Sequence, residues 1–359
     1  MSEAVKVGLI GCGNRARKHI PGLKAEARCR VVGMADIKQA SAQALKDDFE
    51  LEGEVYTDYA KLLADHELDL VITCLWTPLH VPVFKACVEA GVRAVQSEKP
   101  MAPTLGECRA MSRLAETSGC QLTFCHQRRF CKGNRLVRRL VEEGAFGEIQ
   151  RMDLYSPPNL LDCGTHTFDQ ALSFNRETPA RWVLGALDLS RPLKWFNVRA
   201  EGMASGLVVF ENGVRATIQV GGEDKDMGAG VRVHGSEGFI EAGWDGQIGR
   251  AVRYDDPAWS PPTEDERESG AGAAAAEGED PDANAPSTVM ADVVRDLIDS
   301  LESGREPELH HRKALRASEI IFALYESARS HARVELPMEY EGNACLDLIE
   351  ERLPEDDGT

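Results

Sequence analysis

Val5-Lys6-Val7-Gly8-Leu9-Ile10-Gly11-Cys12-Gly13-Asn14-Arg15-Ala16 decides how this chain begins to fold. A short apolar run, Val5 to Ile10, reads as a strand buried on both faces. It enters G-x-G-x-x-A, and helical spacing follows. Each small residue has a task in a strand-turn-helix that receives a dinucleotide. Gly11 permits the tight turn, Gly13 lets a pyrophosphate approach the backbone, and Ala16 lets helix and strand pack closely. The helix start offers free N–H groups and the positive end of a dipole. A second strand-like run, Arg30 to Ala35, ends at Asp36. A carboxylate there suits the adenosine ribose hydroxyls and repels a 2′-phosphate, so NAD is favoured over NADP. Lys38 weakens that preference.

The same rhythm continues outward. Apolar runs at 70–76, 92–96 and 121–125 alternate with helical spacing at 38–49, 80–90 and 104–118. Pro103-Thr104 suits a helix entry and Gly119 an exit. Repeated strand and helix imply a parallel sheet covered on both faces. Beyond residue 126 the pattern changes. A helix is expected over 134–143, a strand from Gly147-Glu148-Ile149 to Tyr155, and a short helix over 163–174. Strands follow at 181–187, 205–210, 214–220, 231–234, 238–242 and 247–254, with Glu211-Asn212-Gly213 as a hairpin turn. Two helices, 288–302 and 312–331, close the pattern, the first ending at Gly304. The expected fold is a doubly wound α/β Rossmann sheet followed by an α+β domain with an open, mainly antiparallel sheet. The expected domains are 1–125 and 126–340. Within the second, the Pro-, Ala- and Glu-rich stretch 255–287 reads as a mobile acidic insertion, and 341–359 as a tail.

Composition narrows the function. The 359 residues carry 41 basic and 59 acidic side chains, a net charge of −18, so nucleic acid and anionic membranes are not expected partners. At 43% hydrophobic and 28% charged the chain is globular. Met1-Ser2-Glu3-Ala4 lacks the basic and apolar regions of a signal peptide. No apolar run spans a bilayer. The ten cysteines are scattered without a Cys-x-x-Cys pair. They read as free thiols in a reducing compartment, with the cytoplasm as location. Cys120, Cys125 and Cys131 fit no zinc spacing, so no metal is expected.

Three further motifs point to chemistry. Thr77-Pro78-Leu79-His80 and Glu98-Lys99-Pro100 follow strands whose carboxyl ends should face the cofactor. A lysine there can donate to a substrate oxygen, and a cis bond before Pro100 would hold it. Asp162 and His166, in D-x-G-x-H-x-x-D, share one face of a helix at i and i+4. Asp162 could raise the basicity of His166 as general base, or could equally cap the helix beside a structural histidine.

Together GLIGCGNRA, AD, TPLH, SEKP, RRF, GAFGEI and D-x-G-x-H-x-x-D, with the ending PELHHRKALRASEIIFALYESARSHARVELP, resemble the Gfo/Idh/MocA family. That family includes glucose–fructose oxidoreductase and inositol dehydrogenase. The resemblance covers most of residues 4–337 and is thin across 255–287. It implies hydride transfer between NAD(P) and a sugar, cyclitol or polyol carbon, and oligomers built through the second domain's sheet. Carried over residue by residue, it makes Lys99, Asp162 and His166 catalytic. It makes Gly11, Gly13, Asp36, Thr77, Pro78, His80 and Glu98 cofactor contacts, and Asn14 and Arg15 in the same turn join them. His126-Gln127 stands where members often carry asparagine, and Asn159-Leu160-Leu161 replaces a glycine-rich approach. His126, Gln127 and Arg129 are therefore candidates for the substrate, although Arg128 and Arg129 also suit structural ion pairs. Two alternatives remain: a redox-neutral NAD-dependent glycosidase or lyase, and a cofactor-binding regulatory protein without catalysis.

Overall fold

The computed structural model describes residues 4–221, 230–244, 246–261 and 287–352. Contacts divide the described chain into two compact units. The first holds 4–102, 109–130 and 287–312, and the second holds 103–108, 131–221, 230–244, 246–261 and 313–352.

The first unit alternates β1 (Val5–Ile10), α1 (Asn14–Ala25), β2 (Cys29–Ala35), α2 (Gln39–Asp48), β3 (Glu54–Tyr56), α3 (Tyr59–Asp65), β4 (Leu70–Thr73), α4 (His80–Glu89) and β5 (Ala94–Ser97). The helix α5 (Leu105–Ser118) leads to β6 (Gln121–Phe124). All six strands are parallel, in the order β3-β2-β1-β4-β5-β6. The order reverses between β1 and β4, and a crevice at the carboxyl ends of those strands is where such a sheet takes its ligand. Val7, Leu9, Leu70 and Ile72 are at most 1% exposed, as strands covered on both faces must be.

The second unit opens with α6 (Lys132–Glu142) and β7 (Ile149–Ser156), then a π-helical turn, Leu160–Gly164, that runs directly into α7 (Thr165–Phe174). Next come β8 (Ala180–Asp188), a small hairpin of β9 (Leu193–Trp195) and β10 (Val198–Ala200), and β11 (Met203–Phe210), β12 (Arg215–Gly221), β13 (Gly230–Gly235), β14 (Gly238–Gly243) and β15 (Ile248–Arg253). Eight strands form one sheet, β15-β14-β13-β7-β12-β11-β8-β16, in which β16 is Val334–Glu335. Its pairs are antiparallel except β7 with β12, so the sheet is mixed. Val233, Met152, Ala216, Val208 and Val183 lie side by side in register, and none exceeds 0% exposure. This row is the inner face. Leu184 and Met203, on the other face, stay exposed. Strict alternation produces this one-sided sheet.

The helix α8 (Ser287–Ser303) packs on α1 in the first unit. A Cβ at Gly22 of α1 would come within 2.5 Å of the Met290 carbonyl oxygen, so only glycine permits the approach. Val294 and Ile298 complete the β1 core. A helix from the span read as second-domain sequence thus belongs with the dinucleotide-type sheet. The helix α9 (His311–Ser330) lies mainly in the second unit, where Leu324 sits on Gly185 and Gly206. The edge strand β16 (Val334–Glu335) follows, and then α10 (Ala344–Arg352). The stretch 341–359, read as a tail, therefore contains a helix with Ala344, Cys345, Leu348 and Ile349 buried. Most of the insertion read over 255–287 lies outside the described residues.

Candidate active site

In the first unit the G-x-G-x-x-A turn closes as its spacing demands. Gly11 has φ of +87°, and a Cβ there would stand 2.3 Å from the Cys74 carbonyl oxygen. Gly13 is the residue before α1 and supplies no side-chain cap. A Cβ at Gly13 would meet nothing within 4 Å. This open space beside the first N–H groups of α1 is what an incoming pyrophosphate requires. Ala16 is fully buried in the β1 core.

Asp36 ends β2 as a half-buried carboxylate. Its Oδ2 accepts the Cys12 N–H at 2.8 Å, and its Oδ1 accepts the Lys38 N–H at 2.8 Å. The acid is thereby tied to the glycine turn, at the place a ribose would reach. Thr77 lies in a 3₁₀ turn, Thr77–Leu79, after β4. Its buried Oγ1 has no hydrogen-bond partner among the described residues, which leaves it available to a ligand. Ile37, Trp76, Pro78 and Leu79 are exposed near the same strand ends. These observations fit a dinucleotide. His80 behaves differently. Its Nδ1 lies 3.1 Å from the Met101 carbonyl and its Nε2 3.1 Å from the Leu75 carbonyl. Both ring nitrogens are occupied by the chain itself. Burial pushes its pKa down, and the two carbonyls oppose this less strongly.

Glu98 follows β5 and is almost fully buried. Its Oε1 lies 2.8 Å from Arg15 Nε and 2.7 Å from His19 Nε2. Burial alone would raise the carboxyl pKa, but Arg15 and His19 together outweigh it and hold it at about 2. Arg15 and His19 stand one turn apart on α1, so a single helix face grips the acid. His19 carries no motif signal and was not among the expected residues. Cys125 also lies within metal-ligand spacing of His19 and Glu98. Arg15 already supplies a positive charge at that carboxylate.

Lys99 comes next, 5% exposed, with a cis peptide bond to Pro100. Beyond β6, Gln127–Phe130 forms a 3₁₀ turn in which His126, Gln127 and Arg129 are all buried. Arg129 Nη1 pairs with Glu308 Oε1 at 3.2 Å, an ion pair within the first unit.

In the second unit the π-helical turn carries Asp162 and the first turn of α7 carries His166. Asp162 and His166 are 2% and 1% exposed. Asp162 is not the cap of this segment. Asn159 is, and its Oδ1 accepts the Asp162 N–H at 2.8 Å. Thr165 Oγ1 donates to the Asp162 carbonyl at 2.8 Å. The Trp244 ring meets the His166 ring edge-on, with centroids 5.8 Å apart. π-Helical insertions of this kind concentrate at functional sites.

Residues 5–126 match the profile described as oxidoreductase family, NAD-binding Rossmann fold, named for Gfo, Idh and MocA. These residues belong to the Gfo/Idh/MocA oxidoreductase family. The family domain binds NAD, and the chain is an oxidoreductase. D-apiose dehydrogenase of Paraburkholderia graminis is 25% identical over 347 residues, covering 92% of this chain and 89% of that protein. Inositol 2-dehydrogenase of Pseudomonas syringae pv. syringae is 32% identical over 147 residues, covering 40% of this chain. This second match spans 44% of that dehydrogenase, less than half its length. Among solved structures, levoglucosan dehydrogenase in complex with NADH superposes with a TM-score of 0.74 at 19% identity, covering 94% of this chain and 100% of the other. The WlbA dehydrogenase from Bordetella pertussis, in complex with NADH and UDP-GlcNAcA, gives 0.75 at 19% identity, covering 94% and 100%. At such identity these likenesses establish the fold alone. Among the described residues no helix is long and apolar enough to cross a membrane.

Proposed function

We propose that the chain transfers hydride between NAD and a carbinol carbon of a sugar, cyclitol or related polyol. The observation that carries this is the burial of Lys99 directly after β5, on the strand-end side of the NAD-binding sheet, in a chain that also buries Asp162 and His166 on one continuous helical segment. Buried ionisable groups gather at functional sites. Bound NAD supplies the hydride acceptor. His166 takes the hydroxyl proton from the substrate as general base. Asp162 stabilises the imidazolium so formed. Lys99 donates a hydrogen bond to the same oxygen and stabilises its developing negative charge. In the reverse direction His166 returns the proton. Asp36 holds the ribose hydroxyls, Thr77 Oγ1 and the N–H groups after Gly13 hold the remainder of the dinucleotide, and His126 and Gln127 face the substrate. The named relatives, a D-apiose and an inositol dehydrogenase, act on polyhydroxylated molecules of this kind.

The exposed face of the eight-stranded sheet, with Leu184 and Met203, is the surface through which copies of this chain associate. Ten free thiols, eight of them buried, accord with a reducing compartment such as the cytoplasm. The deciding experiment incubates the protein with NAD or NADP and a panel of sugars, cyclitols and linear polyols, and follows absorption by the reduced cofactor. Reduction by at least one polyol, dependent on Lys99 and His166, is expected. Tight NAD binding with no reduction by any of them would overturn the assignment.

A further inference from the structure

The hydrogen bonds of the turn that carries Asp162 lead to one buried acid. Leu160, the first residue of the π-helical turn, donates its backbone N–H to Glu201 Oε1 at 2.6 Å. The other oxygen of Glu201 accepts the Tyr325 hydroxyl at 2.7 Å. Glu201, Leu160 and Tyr325 are each 0% exposed. Glu201 directly follows β10, and Tyr325 lies in α9. The carboxylate thus joins the hairpin, a long helix and the turn. At the other side of the turn, the Asn159 side chain holds the Asp162 N–H and the Asn159 carbonyl accepts the Gly164 N–H at 3.1 Å.

Burying a carboxylate is costly, and a neutral side chain could anchor a helix. The acid earns its place here by accepting two short bonds at once. Burial pushes its pKa up to about 7, against the pull of the Leu160 N–H and the Tyr325 hydroxyl. The groups facing it are the Tyr325 hydroxyl and the Cys345 thiol of α10, both pushed upward and so uncharged at neutral pH. Without an acceptor, the Leu160 N–H would be left buried and unpaired, and the turn would rewind to find one. One residue of rewinding rotates a helical side chain by about 100°, enough to remove Asp162 from the face it shares with His166.

We infer that Glu201 is a positioning residue for the reaction: by fixing the Leu160 N–H it sets the direction in which Asp162 and His166 present their side chains. The inference rests on the assignment of those two residues to proton transfer. It adds a residue that the sequence gives no reason to single out.

The test uses the full chain with E201A, E201Q and E201D. Glutamine keeps an oxygen for Leu160 and an amide hydrogen for the Tyr325 oxygen. Aspartate keeps the charge and withdraws the oxygen. Three readouts are taken: kcat on whichever polyol the wild type oxidises, NAD dissociation constant, and titration of the His166 imidazole by NMR of histidine-labelled protein, assigned with H166Q. E201A is expected to lower kcat about 100-fold with NAD affinity unchanged, as small misplacements of reacting groups do. It should also shift the His166 titration. E201Q should recover kcat to within about tenfold of wild type. Should E201A fail to fold, E201D must show the same loss and the same shift. If no polyol is oxidised by the wild type, the functional assignment fails by itself, and the imidazole titration still decides the positioning role. Equal kcat in folded E201A and wild type, or an unmoved His166 titration in both E201A and E201D, overturns the inference.

Discussion

His19 Nε2 lies 2.7 Å from Glu98 Oε1, and the histidine and glutamate side chains are only 1% and 7% exposed. With Arg15 on the same oxygen, the pair fixes the loop between β5 and Lys99 against α1. The pKa of Glu98, about 2 against an ordinary 4.5, turns this into a pH dependence. A depressed carboxyl contributes stability that is fully present above pH 4.5 and is lost as pH falls toward 2. The size is on the order of 3 kcal/mol. Glu98→Gln should remove most of that stability at pH 7 and flatten the acid limb of a urea-unfolding series. An acid limb of unchanged depth in the variant would contradict this origin.

Glu201 should show the opposite slope. Its pKa is raised from 4.5 to about 7, so the folded state holds its proton while the unfolded chain releases it. The contribution is therefore best below pH 4.5, declines as pH rises to 7, and is constant above. Glu201→Gln does not ionise. Relative to wild type its stability should improve by about 2–3 kcal/mol between pH 5 and pH 8, with urea midpoints as the measure. A difference that does not change with pH would count against the buried, titrating acid.

The two glycines of the fingerprint should fail in different ways. Gly11→Ala forces a side chain into positive φ and against the Cys74 carbonyl. The fold should lose about 2 kcal/mol or more, seen as a lower Tm without cofactor. A Cβ at Gly13 would meet nothing within 4 Å, so the Tm of Gly13→Val should stay near wild type. On the proposed reading the valine fills the pyrophosphate's approach, and NAD affinity should fall at least about 100-fold. Calorimetry separates the two cases. A G13V protein that binds NAD normally would remove the phosphate from this position.

These distinctions show what the amino-acid sequence can and cannot express. Apolar runs located β1, β2, β4, β5 and β6 because strands buried on both faces leave an unbroken signal. The three-residue edge strand β3 and the helix α3 leave almost none. The β9–β10 hairpin turns through Phe196 and Asn197, both at positive φ, without the glycine that marks such turns. The parallel pairing of β7 with β12 depends on long-range order, and so does the docking of α8 on α1. An apolar helix face does not say which core it joins. The same holds at the site. Gly11, Gly13, Asp36, Lys99, Asp162 and His166 lie in recognisable spacings. His19 and Glu201 act through partners 79 and 41 residues away in sequence, and an isolated histidine or glutamate carries no mark of that.

On the proposed reading, Asp36 sets the choice of cofactor by charge. Its carboxylate is held by the Cys12 and Lys38 N–H groups, so it cannot swing away from a 2′-phosphate. Asp36→Ser removes the repulsion and the acceptor for the ribose hydroxyls together. NAD affinity should fall and NADP affinity should rise, narrowing their ratio by at least about tenfold. Titrations with both cofactors measure it. An unchanged ratio would move the discrimination elsewhere, with the nearby Lys38 as the first residue to examine.

Lys99 gives the sharpest separation of binding from chemistry. Methionine matches much of the length of this buried side chain, while removing the ammonium that, on the proposed reading, stabilises a developing alkoxide. A donor aimed at transition-state charge is worth about 100- to 1000-fold in kcat. Lys99→Met should lose turnover by that order. NAD should still bind within a few-fold, because the glycine turn, Asp36 and Thr77 are untouched. KM for the polyol should change less than kcat, since the lost interaction strengthens only as charge develops. Lys99→Arg keeps the charge in a broader, planar group and should recover little in a site where the lysine is buried. Parallel losses of NAD affinity and turnover in K99M would instead make this lysine part of the cofactor site.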